Sequence, residues 1–387
     1  MSRFVPLSIP NFEGNEKKYV NDALDQGWVS TGGAYITELE KSMARFLHTD
    51  NVSACQSGTS ALHLSLVEAG VQPGDVVLVP PLTFIAAVNP VKYQFAIPVF
   101  IDCDDSFCMD PIKLHQFCQE ECVFAGGVLT YKNAPVKAIV VVHVFGNMAD
   151  MEAIMDIAEK YHLKVIEDAT EALGTYYTEG RYVGKYAGTI GDFGAYSFNG
   201  NKIITTSGGG MLLCRTEEEA KHALKLATQA RENAPWYQHE EIGYNYRMSN
   251  ISAGIGRGQM KVLPLRVQQK QAIFARYSEN LKGLPLTMQP KLDCAEPNRW
   301  LSVALLDADC GVTPADMLAR LNEANIEGRH LWKPMHLQPI FANCPFVSVS
   351  DAPVGDDLFA RGVCLPSDTK MHADDVDRVC EVIRGMF

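Results

Sequence analysis

Three short segments of the chain carry side chains that could do chemistry together. Ser57-Gly58-Thr59-Ser60 stands directly before the helical pattern ALHLSLVEAG. The first turn of a helix offers unpaired N–H groups and the positive end of the helix dipole, so this segment could bind a phosphate. The alternative is an ordinary helix N-cap supplied by a serine or threonine.

The second and third segments supply a carboxylate and an amine. Val165-Ile166-Glu167-Asp168 ends an apolar strand pattern, and the carboxyl ends of parallel strands line the ligand crevice of an open sheet. Asp168 could pair there with a cation, or it could cap the following turn. Lys202 stands in Ser197-Phe198-Asn199-Gly200-Asn201-Lys202, away from any charged run. A lysine can form a Schiff base with an aldehyde cofactor, although most single lysines only lie at the surface.

The phosphate-binding segment, Asp168 and Lys202 together match the needs of one cofactor, pyridoxal 5'-phosphate (PLP). A helix start holds its phosphate, an aspartate keeps its pyridine nitrogen protonated, and a lysine binds its aldehyde carbon. An opposite charge nearby raises the pKa of a cation by about 1–3 units, which favours the protonated ring at neutral pH. The sequence therefore predicts a PLP enzyme.

Other cofactor and metal motifs are missing from the sequence. It contains no GxxxxGK[ST] phosphate loop, no HExxH and no CxxC. GIGRG at 254–258 lies in a helical pattern rather than after a strand, which argues against a dinucleotide site. DCDD at 102–105 lacks the glycine and the distal glutamate of a calcium loop, so no metal site is expected.

Composition and charge narrow the partners and the compartment. The 387-residue chain has a net charge of -12, which repels phosphate backbones and argues against nucleic acid as a partner. No apolar run approaches the roughly 20 residues that a membrane span needs, so no membrane association is expected. The N-terminus shows no signal peptide, and eleven cysteines without a CxxC predict free thiols in the cytoplasm.

Short apolar runs alternate with helical patterns through the first half of the chain. The apolar runs are Val76–Val79, Ile97–Ile101, Ala138–Val142 and Val165–Ile166, and the helical patterns are Ser60–Ala69 and Met151–Tyr161. This alternation predicts an α/β fold with a parallel sheet buried on both faces.

The later segments change in character. We interpret 193–214 as strand, loop, strand, glycine-rich turn and strand, and we expect a long helical region from about Ser249 to Leu281. The length predicts two or three domains at roughly 150 residues each. We place a large cofactor-binding domain with an N-terminal arm at 1–260, and a linking helix with a small α/β domain at 261–387.

Several longer segments carry a resemblance to a known family. They are QSGTSALHLSL (56–66), VPPLTFIAAV (79–88), PVFIDCD (98–104), VHVFGN (142–147), VIEDATEALG (165–174), GDFGAYSFNGNKIITTSGGGM (191–211), GYNYRMSNISAGIG (243–256) and LWKPMHLQPIF (331–341). On these segments the chain resembles the DegT/DnrJ/StrS aminotransferases, PLP enzymes that aminate nucleotide-bound keto-sugars. The resemblance implies an aspartate-aminotransferase-like fold (PLP fold type I), with a mostly parallel sheet in the large domain and a smaller C-terminal α/β domain.

The resemblance also implies roles for individual residues. Lys202 matches the Schiff-base lysine, and Asp168 matches the partner of the pyridine nitrogen. The other cofactor matches are Gly58, Thr59 and Ser197 at the phosphate, Phe84 stacked on the ring, Glu171 near the phenolic oxygen, and Asn245 reaching the phosphate from the neighbouring subunit. The segment associated with the nucleotide-sugar contains Arg329, Trp332, Lys333 and His336.

Two positions depart from the family pattern. Glu171 stands where many members have Gln or His, which marks a sub-branch and suggests a protonated or hydrogen-bonded acid. His330 stands where relatives of this branch often have Pro. Dehydratases of the family replace the lysine with His, so Lys202 favours transamination.

The resemblance implies a substrate as well. SFNGNKIITTSGGG and TQAREN are most similar to aminotransferases of the UDP-N-acetylbacillosamine and legionaminic acid pathways. We therefore expect L-glutamate to aminate C4 of a UDP-4-keto-6-deoxy-N-acetylhexosamine (UDP-2-acetamido-2,6-dideoxy-hexos-4-ulose), in a homodimer with shared active sites. The alternatives are a dTDP- or GDP-linked keto-sugar, amination at C3, and a PLP-binding sugar-nucleotide sensor without turnover.

Overall fold

Strands and helices alternate along the chain, as the apolar pattern predicts. The computed structural model describes residues 3–348 and 352–387. Within them the strands are β1 (Val52–Cys55), β2 (Val76–Val79), β3 (Ile97–Ile101), β4 (Val123–Ala125), β5 (Val128–Tyr131), β6 (Ala134–Val142), β7 (Lys164–Asp168), β8 (Tyr176–Tyr177), β9 (Phe193–Ser197), β10 (Gly210–Cys214), β11 (Leu286–Met288), β12 (Ala295–Glu296), β13 (Ser302–Leu306), β14 (Arg329–His330), β15 (Phe346–Val347) and β16 (Gly362–Leu365). The helices are α1 (Glu16–Asp25), α2 (Ala34–Leu47), α3 (Gly58–Glu68), α4 (Asn89–Tyr93), α5 (Pro111–Gln116), α6 (Met151–Tyr161), α7 (Glu217–Ala227), α8 (Asn250–Met260), α9 (Leu263–Asn280), α10 (Pro314–Glu323), α11 (Val354–Arg361) and α12 (Ala373–Arg384).

A large, mostly parallel sheet forms the centre of the fold. Its strands run in the order β1-β10-β9-β7-β6-β2-β3-β15, and only β10 is antiparallel to its neighbours. The hairpin of β4 and β5 extends from the start of β6. All four residues of β2 are buried, and each such aliphatic side chain contributes about 1.5–3 kcal/mol on leaving water. The predicted α/β fold class is confirmed.

Strand β7 places Asp168 at one edge of this sheet. It lies between β6 and β9, and Asp168 at its end pairs in register with Val142 and Ala195. Because parallel strands share a direction, the carboxyl ends of β6, β7 and β9 meet at the same edge. Side chains that follow these three strands are therefore close in space.

A second, antiparallel sheet forms in the last hundred residues. Its order is β11-β13-β16-β14, and a separate apolar cluster packs it against α9, α10 and α12. The long helical region expected before it is present as two helices, α8 and α9, with a turn at Lys261 and Val262. Pro264 stands in the first turn of α9, where it needs no hydrogen-bond acceptor but where a continuous helix would lose a bond. The division into domains at 260/261 remains a prediction.

The middle strand expected between β9 and β10 is wrong. Residues 203–206 fold as a compact loop that hydrogen-bonds to Phe198, the residue that follows β9. The N–H of Thr206 and the hydroxyl of Thr205 both donate to the carbonyl of Phe198, at 2.9 and 3.0 Å. Ile203 and Ile204 are buried in this loop, so their apolar character reflects burial rather than strand pairing.

The N-terminal arm runs along the C-terminal part of the chain. The N–H of Leu7 donates to Glu327, and the N–H of Ile9 donates to Asp368 at 2.7 Å. Asn11 closes the arm by accepting a bond from Gln259 on α8. Through these contacts Leu7 reaches the wall of the cavity described below. No helix in the described ranges is long and apolar enough to cross a membrane.

Candidate active site

A cavity of about 450 Å³ opens at the carboxyl ends of the parallel strands. It collects eight of the residues that the sequence singles out. They are Gly58, Thr59, Phe84, Glu171, Ser197, Lys202, Arg329 and Trp332. Residues that are far apart in the chain thus share one site.

The start of α3 forms an anion-binding corner of this cavity. Ser57 caps the helix by accepting a bond from the N–H of Ser60 at 3.0 Å, so the capping alternative is realised. The cap leaves the N–H groups of Gly58 and Thr59 without an acceptor inside the helix. A Cβ on Gly58 would lie 2.9 Å from Cβ of Ser197, so only glycine lets the helix start approach β9 this closely. The corner combines the positive end of the helix with the hydroxyls of Thr59 and Ser197, and this combination suits a phosphate.

Asp168 lies buried beneath the cavity at the end of β7. One carboxylate oxygen accepts a bond from the N–H of Thr170 at 3.1 Å. Burial raises the pKa of this carboxyl, because an ion loses hydration there, and the hydrogen bonds from the hydroxyl and the N–H of Thr170, followed by the charge of Lys202, oppose that shift only in part. A carboxylate in this position is stabilised by a further cation, such as a protonated ring nitrogen.

The amine of Lys202 lies between an acid and an aromatic face. Its Nζ donates to Oε1 of Glu171 at 3.3 Å. The same Nζ stands 4.3 Å from the centre of the Trp300 ring, within the range of a cation–π interaction. The side chain of Lys202 is 11% exposed, so the amine reaches the cavity but is largely shielded from water.

Glu171 carries the acid of this arrangement and is itself buried. Its second oxygen accepts a bond from the N–H of Phe145 at 2.8 Å. Burial raises the pKa of Glu171 to about 7, although Lys202 and the Phe145 N–H both favour the ionised form. The carboxyl can therefore hold or release a proton near neutral pH.

Glu167, the residue before Asp168, lies on the other face of β7 and has a different environment. Its two oxygens accept three backbone N–H bonds, from Gly188, Ile190 and Gly191, at 2.6–2.8 Å. Nε2 of His143 adds a fourth bond at 2.9 Å. Nδ1 of His143 accepts from the N–H of Ala149, so Nε2 carries the ring proton and donates it to Glu167.

Aromatic side chains build one wall of the cavity. The ring of Phe145 lies 4.5 Å from that of Trp332 and 6.4 Å from that of Trp300, measured between centroids. Phe84 stands 6.0 Å from Trp332 and leaves 55% of its surface exposed. Such a wall suits a planar ring or the apolar face of a sugar.

Four predicted site residues lie outside the cavity lining of this chain. Asp168 is the buried one described above, while Asn245 and Lys333 are exposed. Nε2 of His336 lies 3.0 Å from a carboxylate oxygen of Asp356, and its ring stacks on Phe346. His336 is therefore engaged with Asp356 and Phe346 and does not line the cavity.

Three residues that line the cavity have no role among those inferred from the sequence, namely Phe145, Trp300 and His330. Phe145 belongs to the quoted segment VHVFGN, but nothing in that pattern shows that it adopts a left-handed φ of 56°. Trp300 lies outside every motif that the sequence offers, and it lines the cavity. His330 was noted as a departure from the family pattern, and it also lines the cavity.

Comparison with protein families explains the whole arrangement. The model of the DegT/DnrJ/EryC1/StrS aminotransferase family matches residues 10–384. The chain belongs to this family. It is a PLP-dependent nucleotide-sugar aminotransferase, as the resemblance of its segments implies.

Curated relatives of this DegT/DnrJ/EryC1/StrS chain match along their full length. A putative pyridoxal phosphate-dependent aminotransferase of Bacillus subtilis, EpsN, is 42% identical, with 100% of this chain and 97% of EpsN covered. The GDP-perosamine synthase of Escherichia coli O157:H7 is 34% identical, with 100% and 99% covered.

Solved structures of the family have the same fold. An aminotransferase from Brucella abortus superimposes with a TM-score of 0.86 at 26% identity, covering 96% of this chain and 95% of that one. The PLP form of the putative sugar aminotransferase Spr1654 from Streptococcus pneumoniae gives 0.88 at 25% identity, with both chains fully covered. The predicted aspartate-aminotransferase-like fold is confirmed.

The cofactor of this DegT/DnrJ/EryC1/StrS chain is PLP, and its residues fit that group. The α3 corner offers N–H donors to a phosphate, and the buried Asp168 lacks a full set of hydrogen-bond partners. Bound PLP supplies an aldehyde carbon that amines attack and a ring that withdraws electrons.

Proposed function

We propose that the chain transfers an amino group from L-glutamate to C4 of a UDP-4-keto-6-deoxy-N-acetylhexosamine. The observation that carries the amino-transfer part is the amine of Lys202, placed between Glu171 and Trp300 in a cavity that also holds the α3 corner. The UDP-linked substrate is supported by the resemblance of SFNGNKIITTSGGG and TQAREN to the bacillosamine and legionaminic acid branch.

In this proposal the residues of the chain divide the work. Gly58, Thr59 and Ser197 bind the cofactor phosphate, and Phe84 lies against the ring. Asp168 keeps the ring nitrogen protonated, which lowers the barrier most when negative charge develops in the transition state. Nζ of Lys202 would serve as the acid and base for the 1,3-proton shift between the amino-bearing carbon of the substrate and the aldehyde carbon of the cofactor.

Glu171 acts beside Lys202 in this scheme. Its carboxyl can hold a proton near neutral pH, because burial raises its pKa to about 7. It therefore replaces the Gln or His of other members without losing the ability to donate a hydrogen bond to the phenolic oxygen.

The nucleotide-sugar side is proposed for the wall of Arg329 and Trp332. Arg329 binds Glu327 at 2.6 Å, and 67% of its side chain is exposed, so its guanidinium can exchange that partner for a diphosphate. Lys333 is exposed at the margin of this wall, and His336 follows three residues later in contact with Asp356. We propose Lys333 and His336 as outer contacts of the same substrate.

A second substrate class has its own support. The relative from Escherichia coli that is 34% identical over the full chain is named GDP-perosamine synthase. This favours a GDP-linked 4-keto-6-deoxy sugar as the alternative acceptor. The name of a third relative, UDP-4-amino-4-deoxy-L-arabinose–oxoglutarate aminotransferase, supports glutamate and oxoglutarate as the donor pair.

We further propose a homodimer in which Asn245 completes the partner's site. Asn245 is exposed, and so are Trp236, Tyr237 and Ile242, which leave 65–87% of their surfaces uncovered. Apolar side chains this exposed are typical of a surface that another chain covers.

Mixing two inactive variants tests this arrangement. Lys202→Ala subunits mixed with Asn245→Asp subunits should regain activity, because one site of each heterodimer then receives both native residues. The aspartate is chosen because its charge repels the cofactor phosphate. No recovery from a verified heterodimer would mean that each site is built from one chain.

A substrate panel tests the reaction itself. UDP-, dTDP- and GDP-linked 4-keto sugars are incubated with the purified protein and L-glutamate, and the products are read by mass spectrometry. We expect a 4-amino sugar from the UDP-linked compound. Binding without any amino sugar would instead support a PLP-binding sensor, and a 3-amino product would move the reaction to C3.

The cytoplasm is the compartment that we propose for this reaction. All eleven cysteines are free thiols, and seven of them are buried: Cys55, Cys103, Cys108, Cys118, Cys214, Cys364 and Cys380. Free thiols persist in a reducing compartment.

A further inference from the structure

The position of the Trp300 indole relative to Lys202 is fixed at both ends of the tryptophan. Its Nε1 donates to the carbonyl of Asn201 at 2.8 Å, which ties the ring to the residue next to Lys202. Its backbone N–H donates to Oδ1 of Asn298 at 2.8 Å. The ring face therefore stays turned toward the lysine amine.

The same asparagine also fixes the acid on the other side of Lys202. Nδ2 of Asn298 donates to the carbonyls of Glu171 and Leu173, each at 2.9 Å. Asn298 is fully buried, and a Cβ on Gly146 would lie 1.9 Å from its Oδ1. One buried side chain thus sets the spacing between the carboxylate of Glu171 and the face of Trp300.

We propose that Trp300 and Glu171 form a holding site for the ammonium of Lys202 whenever that amine is not bonded to the cofactor. The inference rests on the proposed role of Lys202 in amino transfer. Trp300 touches the reacting nitrogen in this state, so it is a catalytic residue and not only part of the wall.

The two partners hold the amine in different ways. The electron-rich face of an indole attracts a cation but has no acceptor atom that could take its proton. Glu171 adds charge and one hydrogen bond, and burial raises the pKa of this carboxyl to about 7. The indole therefore keeps the amine in place even when Glu171 is itself protonated.

Reductive methylation of the full-length protein without cofactor tests the holding site. Formaldehyde with cyanoborohydride modifies only neutral amines, and peptide mass spectrometry reports the rate at Lys202. Lys185, which is exposed, serves as an internal reference in every sample. The variants are Trp300→Leu, Trp300→Phe and Glu171→Gln. Trp332→Leu is the matched control, because it removes an indole from the same wall that does not contact Nζ.

We expect Trp300→Leu to raise the labelling rate of Lys202 about fivefold at about pH 8, equivalent to about 1 kcal/mol of lost cation–π attraction. Trp300→Phe should fall between this variant and the wild type, because a benzene ring keeps a weaker face. Glu171→Gln should also raise the rate, while Trp332→Leu should leave it unchanged.

The pH dependence separates charge from simple access. At about pH 11 an ordinary lysine is mostly neutral, so the ratio between the Trp300→Leu and wild-type rates should fall toward one. Two results would overturn the holding site. In the first, Lys202 is labelled at the same rate in Trp300→Leu and in the wild type at both pH values. In the second, the ratio of the two rates is raised equally at both pH values. Because no cofactor or sugar takes part, a failure here is distinct from a failure of the substrate panel.

Discussion

Glu167 and Glu171 lie four residues apart and are both fully buried, yet their surroundings differ in one respect. Glu167 accepts four hydrogen bonds, three of them from backbone N–H groups, so its charge is fully compensated within the protein. Glu171 receives one backbone bond and shares one with Lys202, and burial raises its pKa to about 7. Asp168, between them, is hydrogen-bonded by the N–H and the hydroxyl of Thr170, and burial raises its pKa as well.

This difference separates a structural acid from two acids that have unused capacity. A buried carboxylate with all its lone pairs occupied is stable and chemically silent. A buried carboxylate that accepts fewer hydrogen bonds raises the free energy of the empty protein but can stabilise a cation that arrives later. The account therefore assigns Glu167 to the fold, and Asp168 and Glu171 to the reaction.

The largest expected effect is on Asp168. Asp168→Asn keeps the shape and the bond from Thr170, but it removes the charge that holds the ring nitrogen protonated. The rate should fall by about 100- to 1000-fold, equivalent to about 3–4 kcal/mol, while PLP still binds and urea unfolding changes little. A variant with a near-normal rate would show that the ring nitrogen is not held this way.

The second prediction concerns Glu167 and the free energy of unfolding rather than the reaction rate. In Glu167→Gln an amide N–H₂ must face at least one buried N–H donor, whichever way the side chain is turned. We expect a loss of about 3 kcal/mol in the free energy of unfolding from urea titration. Glu217→Gln, at an exposed position of α7, is the control and should change nothing. Unchanged stability in Glu167→Gln would remove the contrast between the acids.

A smaller effect is expected from Glu171→Gln, and it depends on pH. The folded protein binds the Glu171 proton more tightly than the unfolded chain, so wild-type stability falls as pH rises from about 4.5 to about 7. The glutamine side chain does not ionise, so the stability of this variant does not fall for that reason. Its stability relative to the wild type, measured without cofactor, should therefore rise by about 1–3 kcal/mol from about pH 5 to about pH 8. A pH-independent difference would mean that Glu171 does not titrate there.

The sequence predicts the parts of this site that are local in the chain. The start of α3, the end of β7 and the segment before Lys202 each carry a short pattern that a helix cap or a strand end requires. The partners of Lys202 are harder to predict, because Trp300 comes almost a hundred residues later and its orientation depends on Asn298. Only the packing of the C-terminal part brings that side chain to the lysine.

Two details of the fold do not follow from the apolar pattern, and each has its own physical origin. Residues 203–206 are apolar because they are buried, and burial alone does not distinguish a strand from a compact loop. The pattern from 249 to 281 is helical throughout, but Pro264 permits a new helix start that periodicity does not reveal.

The central claim is that Lys202 carries the cofactor, and one labelling experiment tests it directly. The PLP-loaded protein is reduced with borohydride, digested, and its modified peptide identified by mass spectrometry. The account predicts a yellow protein before reduction and a phosphopyridoxyl group on the peptide that contains Lys202. A label on Lys185 or Lys333 instead would contradict it.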